Sequence, residues 1–514
     1  MKMKRVFALL LVSVFILVAL AACGNGDTST AEPRDVVIAL NQNIITLDPH
    51  APRDGLSNNV ISNMVEGLVE FDQQMVTQPC LAESWEITPD GLKYTFKLRQ
   101  GVKFHDGEPF NADAVRANVE RVRDPDLALR HARSFTMLDR METPDEYTVI
   151  FHLVEPFSPF LQRLEPFKII SPKELEANRT NPDPIGTGGF SFVEWIDGER
   201  MVMKKFPEWR NANQIQVDTV TWRFILENGT RVAMLQSGEA HLIFPMPSES
   251  VSLVSNNNDF VLEAKDSTVC RFVMMNQNVE PMDNVLVRRA INHAVSSAEF
   301  AQIVRGGYAN PLLSAMSPLL PWYVEQQEYA HDLDKARELL AQAGYPDGFT
   351  ITLWASTGSE DMRGLEFLSQ QLGQIGINAI VEPAEEATLS DMIYNTTPET
   401  TNLNTWYVSW SAFDPDNALR SPFMSTMWPP AGANCNYYDN PEVDAAILAG
   451  NRAITFEEQL QHYGRAQQLI WEDAVWVFLG VDISLMAKSA DLTGAQLAPT
   501  GSFLDIRTIG LNVG

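Results

Sequence analysis

Histidine, cysteine and basic residues are all scarce in this sequence of 514 residues. Its eight histidines are scattered, and none lies within four positions of another, so no local pair of metal ligands is present. Only 38 lysines and arginines stand against 66 aspartates and glutamates, which gives a net charge of −28. Because nucleic-acid binding needs clustered cations to displace counterions, this charge disfavours nucleic acid as the main partner.

Common catalytic motifs are also missing. The sequence contains no Gly-x-x-x-x-Gly-Lys phosphate loop, no Gly-x-Ser-x-Gly nucleophile elbow and no His-Glu-x-x-His zinc helix. The glycine-rich segment 186–189 lacks the spacing and the lysine of a phosphate loop and is typical of a structural turn. The sequence therefore predicts a protein without catalytic activity and without a cofactor. An exported hydrolase, with a site assembled from distant residues, is the distant alternative.

The long apolar run of the sequence lies at its N-terminus. Basic residues at positions 2, 4 and 5 precede an apolar run over 6–20, which predicts an export signal over 1–22. The run is shorter than the roughly 20 residues of a membrane-spanning helix. The segment Leu20-Ala21-Ala22-Cys23 resembles the bacterial lipobox, which implies cleavage before Cys23 and lipid attachment to its thiol. The expected result is a tether over 23–34 and an extracytoplasmic location, on the periplasmic side or the outer cell surface.

Three cysteines remain besides Cys23, namely Cys80, Cys270 and Cys435. Their wide separations match no zinc cluster and indicate no particular pairing. One disulfide with a free thiol, or no disulfide at all, both stay open. A chain of this length buries a core large enough to fold without disulfides.

Local periodicity predicts a mixed α/β fold. Alternating apolar residues over 92–98 indicate a half-buried strand, and the turn Pro89-Asp90-Gly91 before it favours a hairpin. A helix is indicated over 332–343 by a stripe of leucines and alanines. Another helix opens after Thr455, where a capping box precedes an apolar face that includes Phe456. Because strands and helices are intermingled along the chain, the class is α/β.

No long linker divides the chain after the tether, so separate lobes must be joined by short crossings. The apolar segments 271–276 and 475–484 are the candidates for these crossings. The chain then forms a first lobe over 35–270, a second lobe over 271–475 and a return to the first lobe over 476–514. A cleft between two lobes is a common place for a ligand.

Two clusters are candidates for ligand contacts. The first is basic and comprises Arg130, His131, Arg133, Arg140, Arg163 and Lys168. An arginine fork matches a carboxylate, so part of this cluster in a cleft would select an anionic ligand, whereas a solvated face with local ion pairs is the alternative. The second is the aromatic run over 406–413, followed by an Asp-Pro-Asp turn over 414–416. Such a run is typical either of a core or of a loop that walls a cleft.

Further segments carry a resemblance that covers nearly all of the chain after the leader. They are Leu81-Ala82-Glu83-Ser84-Trp85, Pro89-Asp90-Gly91, Leu98-Arg99-Gln100-Gly101-Val102-Lys103-Phe104-His105-Asp106-Gly107, Pro109-Phe110-Asn111-Ala112-Asp113, Pro184-Ile185-Gly186-Thr187-Gly188, Val287-Arg288-Arg289-Ala290-Ile291-Asn292-His293-Ala294 and Asn440-Pro441-Glu442-Val443-Asp444. With these segments the sequence resembles the peptide and nickel family of solute-binding proteins of ABC importers. Their glycines and prolines mark fixed turns, so the segments define the scaffold and not the ligand site.

The resemblance implies a fold and a set of partners. The expected fold is an α/β, two-lobed, periplasmic-binding-protein-like clamp of type II, in its large cluster C form, with an extra subdomain in the first lobe at about 76–185. The expected partners are an ABC permease and its ATPase. The protein is expected to act as a monomer that captures a small ligand between its lobes, while the lipid tether holds it on the membrane beside the permease.

The resemblance also bears on the ligand. Arg130 and Lys168 are most similar to basic positions of the nickel branch, which contact the carboxylates of a metal chelate. Trp410 and Phe413 match aromatic positions of the pocket, although Phe413 replaces a tyrosine. The histidine that some nickel binders have about fourteen residues later is absent here, so no direct metal ligand is expected. A small anionic nickel chelate is the favoured ligand on this basis.

An oligopeptide or dipeptide is the alternative ligand. Peptide-binding members hold the α-amine of the ligand with an aspartate about three residues after the tryptophan that matches Trp410, and Phe413 stands at that position here. Asp414 and Asp416 are the nearest substitutes. The complete set of predicted ligand-binding residues is Arg130, Arg133, Lys168, Trp410, Phe413, Asp414 and Arg420.

Overall fold

The computed structural model describes residues 34–51, 55–401, 403–501 and 503–512, without the side chains of Arg130 and Glu386. The predicted export signal, Cys23 and the tether up to residue 33 lie outside the described residues. Among the helices of the described ranges, none is both long enough and apolar enough to cross a bilayer.

The described strands and helices alternate along the chain. The strands are β1 (Asp35–Leu40), β2 (Glu66–Gly67), β3 (Val69–Phe71), β4 (Thr77–Pro79), β5 (Ala82–Ile87), β6 (Lys93–Leu98), β7 (Leu138–Asp145), β8 (Thr148–Leu153), β9 (Lys168–Ile169), β10 (Phe190–Ile196), β11 (Arg200–Lys205), β12 (Thr219–Phe224), β13 (Leu242–Phe244), β14 (Phe260–Met275), β15 (Ala309–Pro311), β16 (Thr350–Ser356), β17 (Asn378–Ala384), β18 (Thr405–Ser411), β19 (Trp476–Ser489), β20 (Leu492–Thr493), β21 (Gln496–Leu497), β22 (Leu504–Asp505) and β23 (Gly510–Leu511). The α-helices are α1 (Gly55–Ile61), α2 (Ala112–Val122), α3 (Phe160–Arg163), α4 (Pro172–Ala177), α5 (Asn228–Ser237), α6 (Ser252–Ser255), α7 (Val285–Ala294), α8 (Ser297–Ile303), α9 (Leu333–Gln342), α10 (Ser359–Gly373), α11 (Glu386–Tyr394), α12 (Pro415–Phe423), α13 (Pro441–Arg452) and α14 (Phe456–Glu472).

The largest sheet extends through both lobes. Its strands follow the order β10-β11-β12-β1-β13-β19-β14-β18-β16-β17, and β15 pairs with β19. In one half β1 is parallel to β12 and β13, and in the other half β16 is parallel to β17 and β18. We call the half with β1 and β10–β13 the first lobe, and the half with β16–β18 the second lobe. The α/β, two-lobed fold that the sequence predicts is confirmed.

Two long strands at the middle of the sheet, β14 and β19, connect the lobes. They run antiparallel to each other and overlap both segments that were predicted as crossings. On their outer sides, β19 pairs with β13 and β14 pairs with β18. Phe272 of β14 stacks on Trp476 of β19 with ring centroids 3.5 Å apart, which packs the two strands together. The lobe limits at residues 270 and 475 stay a prediction.

A separate four-stranded sheet, in the order β5-β6-β8-β7, packs on α2 and has a core of its own. The predicted hairpin joins β5 to β6 through a turn in which Gly91 has a φ of 69°, a conformation that favours glycine. The sheet falls inside the range 76–185 that was predicted as an extra subdomain. We call this range the subdomain, and its limits stay a prediction.

Two helices begin at the capping residues that the sequence predicts, but one residue predicted on a buried helix face is exposed. The side chain of Asp332 caps α9, and Thr455 forms the predicted capping box of α14 with Glu458. Phe456, predicted on the buried face of α14, is instead 50% exposed. The reason is that α14 begins at Phe456, about two turns before Tyr463, the first residue of the helix that is buried in the core.

Cys80, Cys270 and Cys435 are buried free thiols. Burial raises the pKa of the Cys80 thiol to about 12, and it also raises the pKa values of Cys270 and Cys435. Because the thiolate is the reactive form, these thiols are protected from oxidation and exchange in the folded chain. The alternative without a disulfide is therefore the one observed among the described residues.

Candidate ligand-binding cleft

A cavity of about 660 Å³ lies between the two lobes. Sites for small molecules are typically about 300–1,000 Å³, so this cavity has the size of a ligand site. Both lobes and both connecting strands contribute to its lining. It lies at the carboxyl ends of the parallel strands, where open α/β sheets bind their ligands.

The first lobe lines the cavity with residues that follow its parallel strands. Asn41 comes directly after β1, Asn228 follows β12, and the segment 244–248 ends β13 and continues beyond it. Because the three strands are parallel, these ends meet at one edge of the sheet. Arg231 of α5 lies behind this edge and donates to the carbonyl oxygen of Ile225 at 2.8 Å.

Five charged side chains form the opposite wall. This charged cluster consists of Arg271, Arg305, Glu360, Asp361 and Asp482. Asp482 of β19 lies between the two arginines, 2.9 Å from Nε of Arg271 and 3.1 Å from Nε of Arg305. Glu360 lies 2.5 Å from Nη1 of Arg305, and Asp361 lies 3.6 Å from Nη1 of Arg271.

The surroundings of Arg271, Arg305 and Glu360 favour the charged form of each side chain. Burial lowers the pKa values of Arg271 and Arg305, but Asp482 and the other acidic neighbours outweigh this effect and raise both. Burial raises the pKa of Glu360, and Arg305 outweighs it, so that this pKa is lowered. Together with Arg231, the cavity lining carries three arginines and three carboxylates, which suits a ligand with charges of both signs. In the described ranges, no group of three or more His, Cys, Asp or Glu side chains is arranged so that it could hold a metal ion.

The predicted basic residues lie apart from this lining. Arg133 belongs to a 3-10 helix, Arg130–Phe135, and its side chain is exposed. Lys168 of β9 is 12% exposed, and its Nζ lies 2.8 Å from Oε1 of Glu165. Neither Arg133 nor Lys168 lines the cavity, and the side chain of Arg130 is outside the described part of the chain. Contacts of these residues with a ligand stay a prediction.

The predicted aromatic residues lie at the edge of the second-lobe core. Trp410 and Phe413 pack partly buried against this core, and Nε1 of Trp410 donates to the carbonyl oxygen of Asn417 at 3.2 Å. Ser409, the neighbour of Trp410 on β18, does line the cavity and lies opposite Arg271 on β14. Ser409, which is not among the predicted ligand-binding residues, is therefore the residue of the aromatic run that lines the cavity.

The basic cluster and the Asp-Pro-Asp turn meet through Arg163 of the subdomain. Its Nε lies 2.8 Å from Asp414 and its Nη2 lies 2.7 Å from Asp416. Asp416 also accepts from Nε of Arg420 at 2.6 Å. We call these four side chains the interlobe ion network. Asp414 and Arg420, both predicted to contact the ligand, thus have protein partners and do not line the cavity. A contact of either residue with the ligand stays a prediction.

The interlobe ion network is part of a wider contact between the subdomain and the second lobe. Oγ of Ser158 donates to the carbonyl oxygen of Gly450 at 3.0 Å, and its amide donates to that of Asn451 at 2.7 Å. Glu155 lies 2.9 Å from Nη2 of Arg452. Nδ2 of Asn451 donates to Asp416 at 2.5 Å, which joins these contacts to the network. The subdomain therefore contacts the second lobe directly.

Arg271 and Asp482 are candidates that the sequence analysis missed. Each is the one charged residue of a predicted crossing segment, 271–276 or 475–484, and a charge among apolar residues is rarely buried unless it is paired. They lie 211 positions apart, one in each predicted crossing, and their opposite signs are the signal that would have found them. Arg305 lies in a turn between Val304 and Gly306, and the acidic residues that open α10 stand among other polar residues, so neither gives a comparable signal.

Comparisons with known proteins agree on one family. The model of the bacterial extracellular solute-binding proteins, family 5 Middle, matches residues 76–435. The glutathione-binding protein GsiB of Pectobacterium atrosepticum is 36% identical over 495 residues, which cover 94% of this chain and 96% of that protein. The solved structure of the ABC transporter-associated periplasmic binding protein DppA from Helicobacter pylori, in complex with the peptide STSA, is 26% identical. Its TM-score is 0.79, with 91% of this chain and 97% of that chain covered.

The preference for the nickel branch is not supported by these relatives. NikA from Brucella suis, solved in complex with Fe(III)-EDTA, has a TM-score of 0.83 over 93% of this chain and 100% of that chain, but it is only 22% identical. A likeness at this identity shows the fold alone. By the family match and by its relatives, the chain belongs to the bacterial extracellular solute-binding proteins of family 5, and it is a solute-binding protein of an ABC importer.

Proposed function

We propose that this protein binds a short peptide of the glutathione type between its lobes and delivers it to an ABC permease. The observation that carries the proposal is the 36% identity with a glutathione-binding protein along 94% of the chain. The proposal places the peptide alternative of the sequence analysis ahead of the nickel chelate.

The charges of the cavity support a peptide ligand. A free peptide carries at least one carboxylate and one ammonium group, and glutathione carries two carboxylates and one ammonium group. Arginines and carboxylates occur in equal number in the lining, so both kinds of group find partners of opposite sign. An anionic chelate would instead favour an excess of cations. Asn41, Asn228 and Ser409 add amide and hydroxyl groups that pair with a peptide backbone.

The placement of these groups also supports closure on the ligand. The asparagines belong to the first lobe, whereas Ser409 and the acidic start of α10 belong to the second lobe. A ligand that contacts both walls stabilises the closed arrangement by its higher affinity for that arrangement. The connecting strands β14 and β19 lie between the walls, where such a motion would be hinged.

The purified protein is expected to bind reduced glutathione or another short peptide with a Kd in the micromolar range or tighter. The reason is that burial of the charged ligand groups against partners of opposite sign strengthens their attraction. Isothermal titration calorimetry with glutathione, the peptide Ser-Thr-Ser-Ala and a nickel–histidine complex measures this preference. A thermal unfolding scan provides a second readout, because a ligand at about 100 times its Kd stabilises the folded state by about 2.7 kcal/mol.

The same titrations distinguish the proposal from its rivals. A tripeptide that is acetylated at its N-terminus and amidated at its C-terminus is the matched control, and it is expected to bind at least about tenfold more weakly because it has no charged ends. Tighter binding of the nickel–histidine complex than of every peptide would contradict the proposal. Turnover of a peptide during the titration would favour the hydrolase.

We also propose that Cys23 carries the lipid anchor that holds the protein on the membrane beside its permease. The support is the order of basic residues, apolar run and Leu-Ala-Ala-Cys in the sequence. The protein is expected in the membrane fraction, and the Cys23→Ser variant in the soluble extracytoplasmic fraction. Mass spectrometry of the N-terminal peptide measures the added acyl chains. An unmodified Cys23 in the membrane fraction would contradict this proposal.

A further inference from the structure

Arg271 has an unused guanidinium fork at the wall of the cavity. Its Nε lies 2.9 Å from Asp482, but the carboxylate beside its terminal nitrogens, that of Asp361, is 3.6 Å from Nη1. Within the described residues, neither Nη1 nor Nη2 donates a hydrogen bond to the protein. The side chain is 16% exposed and lines the cavity. Four N–H groups of Arg271 are therefore available to a ligand.

The other two arginines of the lining already donate hydrogen bonds to the protein from their terminal nitrogens. Arg231 donates from Nη1 to the carbonyl oxygens of Ile225 and Leu226, and from Nη2 to the amide oxygen of Asn228. Arg305 donates from Nη1 to Glu360 at 2.5 Å, and its Nε lies 3.1 Å from Asp482. Among the three, Arg271 is the one whose planar fork has room for a bidentate acceptor.

The protein holds this fork in place. Nε of Arg271 is fixed by Asp482, which lies on the neighbouring strand β19, and both strands belong to the large sheet. A fork that is positioned before the ligand arrives loses little side-chain freedom on binding, so its hydrogen bonds contribute more to affinity. A carboxylate is the acceptor that matches its geometry.

Asp361 restricts which carboxylate fits. Its side chain accepts a hydrogen bond from Oγ of Ser356, which holds it beside the fork. A ligand carboxylate on Arg271 would lie close to Asp361, and two like charges at that distance repel each other. The repulsion is offset when the ligand carries an ammonium group on the same carbon as the carboxylate. The pair therefore matches an α-amino-acid group.

We infer that Arg271 and Asp361 bind the α-amino-acid end of the transported peptide, with its carboxylate on the Arg271 fork and its ammonium group on Asp361. The inference rests on the proposed function and narrows it. Glutathione has such an end, because its γ-linked glutamate keeps a free carboxylate and a free ammonium group on one carbon. An ordinary dipeptide has these two charges at opposite ends.

Two amides of glutathione test this inference by titration calorimetry. One is amidated at the α-carboxyl of the γ-glutamyl residue, and the other is amidated at the glycine. The first is expected to bind the wild-type protein at least about tenfold more weakly than glutathione, because the fork then loses its charged acceptor. The glycine amide is expected to lose less affinity for the wild-type protein than the γ-glutamyl amide does. In the Arg271→Gln variant, glutathione and the γ-glutamyl amide are expected to bind within about threefold of each other.

Two further variants serve as controls. Arg337→Gln removes an arginine of α9 that is 50% exposed and distant from the lining, and it is expected to keep the wild-type ranking of the three ligands. Arg271→Lys keeps the charge opposite Asp482 without the fork, so it is expected to retain only part of the discrimination. If Arg271→Gln does not fold, as judged by circular dichroism, the titrations are made with Arg271→Lys instead.

The outcomes separate the inference from the proposed function. Full discrimination against the γ-glutamyl amide in the tested Arg271 variant would overturn the inference alone, since the peptide would still bind. A larger loss from the glycine amide than from the γ-glutamyl amide in the wild-type protein would also overturn it. Absence of binding by all three ligands to the wild-type protein would overturn the proposed function and the inference together.

Discussion

Replacing Arg163 by alanine is expected to lower the free energy of unfolding by about 3–5 kcal/mol, because it removes one partner of a buried ion network and leaves Asp414 without its cation. The side chains of Asp414 and Asp416 are 0% and 3% exposed, and that of Arg163 is 15% exposed. Burial lowers the pKa of Arg163, but the two aspartates outweigh this and raise it, so the arginine is charged in the folded protein. A urea titration followed by tryptophan fluorescence measures the loss.

The size of this effect comes from the aspartates that stay behind. Asp416 keeps Arg420, but Asp414 has no second cation within the described residues and remains buried beside Asp416. Burial already raises the pKa of Asp414 with Arg163 in place, and without the arginine the buried carboxyl group keeps its desolvation penalty with no compensating attraction. The amide of Asn417 still donates to Asp414 at 2.7 Å, as part of the start of α12, and this single hydrogen bond does not replace the contact with Arg163.

Arg140→Ala is the matched control for Arg163→Ala. Arg140 belongs to the same subdomain and also contacts two acidic side chains, Asp139 and Glu142, but it is 58% exposed. Its loss is expected to cost at most about 0.5 kcal/mol, because water screens an exposed pair. Adding Asp414→Asn to Arg163→Ala is expected to recover part of the stability, since the unpaired charge is removed. Equal stability losses for Arg163→Ala and Arg140→Ala would contradict the claim that burial makes the network of Arg163 more important for stability.

Stability is also expected to fall by roughly 4 kcal/mol as the pH falls from about 6.5 to about 3, through the single residue His50. Burial, and then the nearby charge of Arg121, lower the pKa of His50 to about 3. The unfolded chain binds this proton near pH 6.5, whereas the folded chain resists it down to about pH 3. The contribution is therefore fully present above pH 6.5 and is lost as the pH falls through that window.

The contacts of His50 explain why its ring stays neutral. Nε2 lies 2.7 Å from the carbonyl oxygen of Lys168, to which it donates, and Nδ1 lies 2.7 Å from Nη1 of Arg121, from which it accepts. Arg121 is itself held by Asp48 through two bonds of 3.0 Å and 2.6 Å. Protonation of Nδ1 would place a second donor and a second positive charge against the guanidinium.

His50→Gln tests this pH dependence. A glutamine side chain offers one donor and one acceptor but does not titrate, so the variant is expected to lose less stability than the wild-type protein between pH 7 and pH 4. Urea titrations at several pH values measure the difference, and His331→Gln, at an exposed position, controls for the loss of a surface histidine. Wild-type and His50→Gln curves that run parallel over this range would refute the assignment.

The sequence predicted the fold because the signals of the fold are local. Alternation over β6, the cap of α9 and the capping box of α14 each depend on residues within a few positions of one another, and each is found where the sequence places it. The two predicted crossing segments overlap β14 and β19, because a long apolar strand is visible in the sequence as such. Phe456 was placed wrongly because periodicity gives the face of a helix but not where the core ends along it.

The residues of the cleft could not be found in the same way, because charged side chains are paired by the tertiary structure. Arg271 and Asp482 are 211 positions apart, and Arg163 and Asp414 are 251 positions apart. Local sequence shows that each is charged but not whether its partner is a protein group or a ligand. By itself the sequence determined the class, the two lobes and the resemblance to binding proteins. Only the tertiary structure decided that Asp414 and Arg420 are paired with protein groups and that Arg271 keeps its fork free, because burial and distance set the partner of a charge.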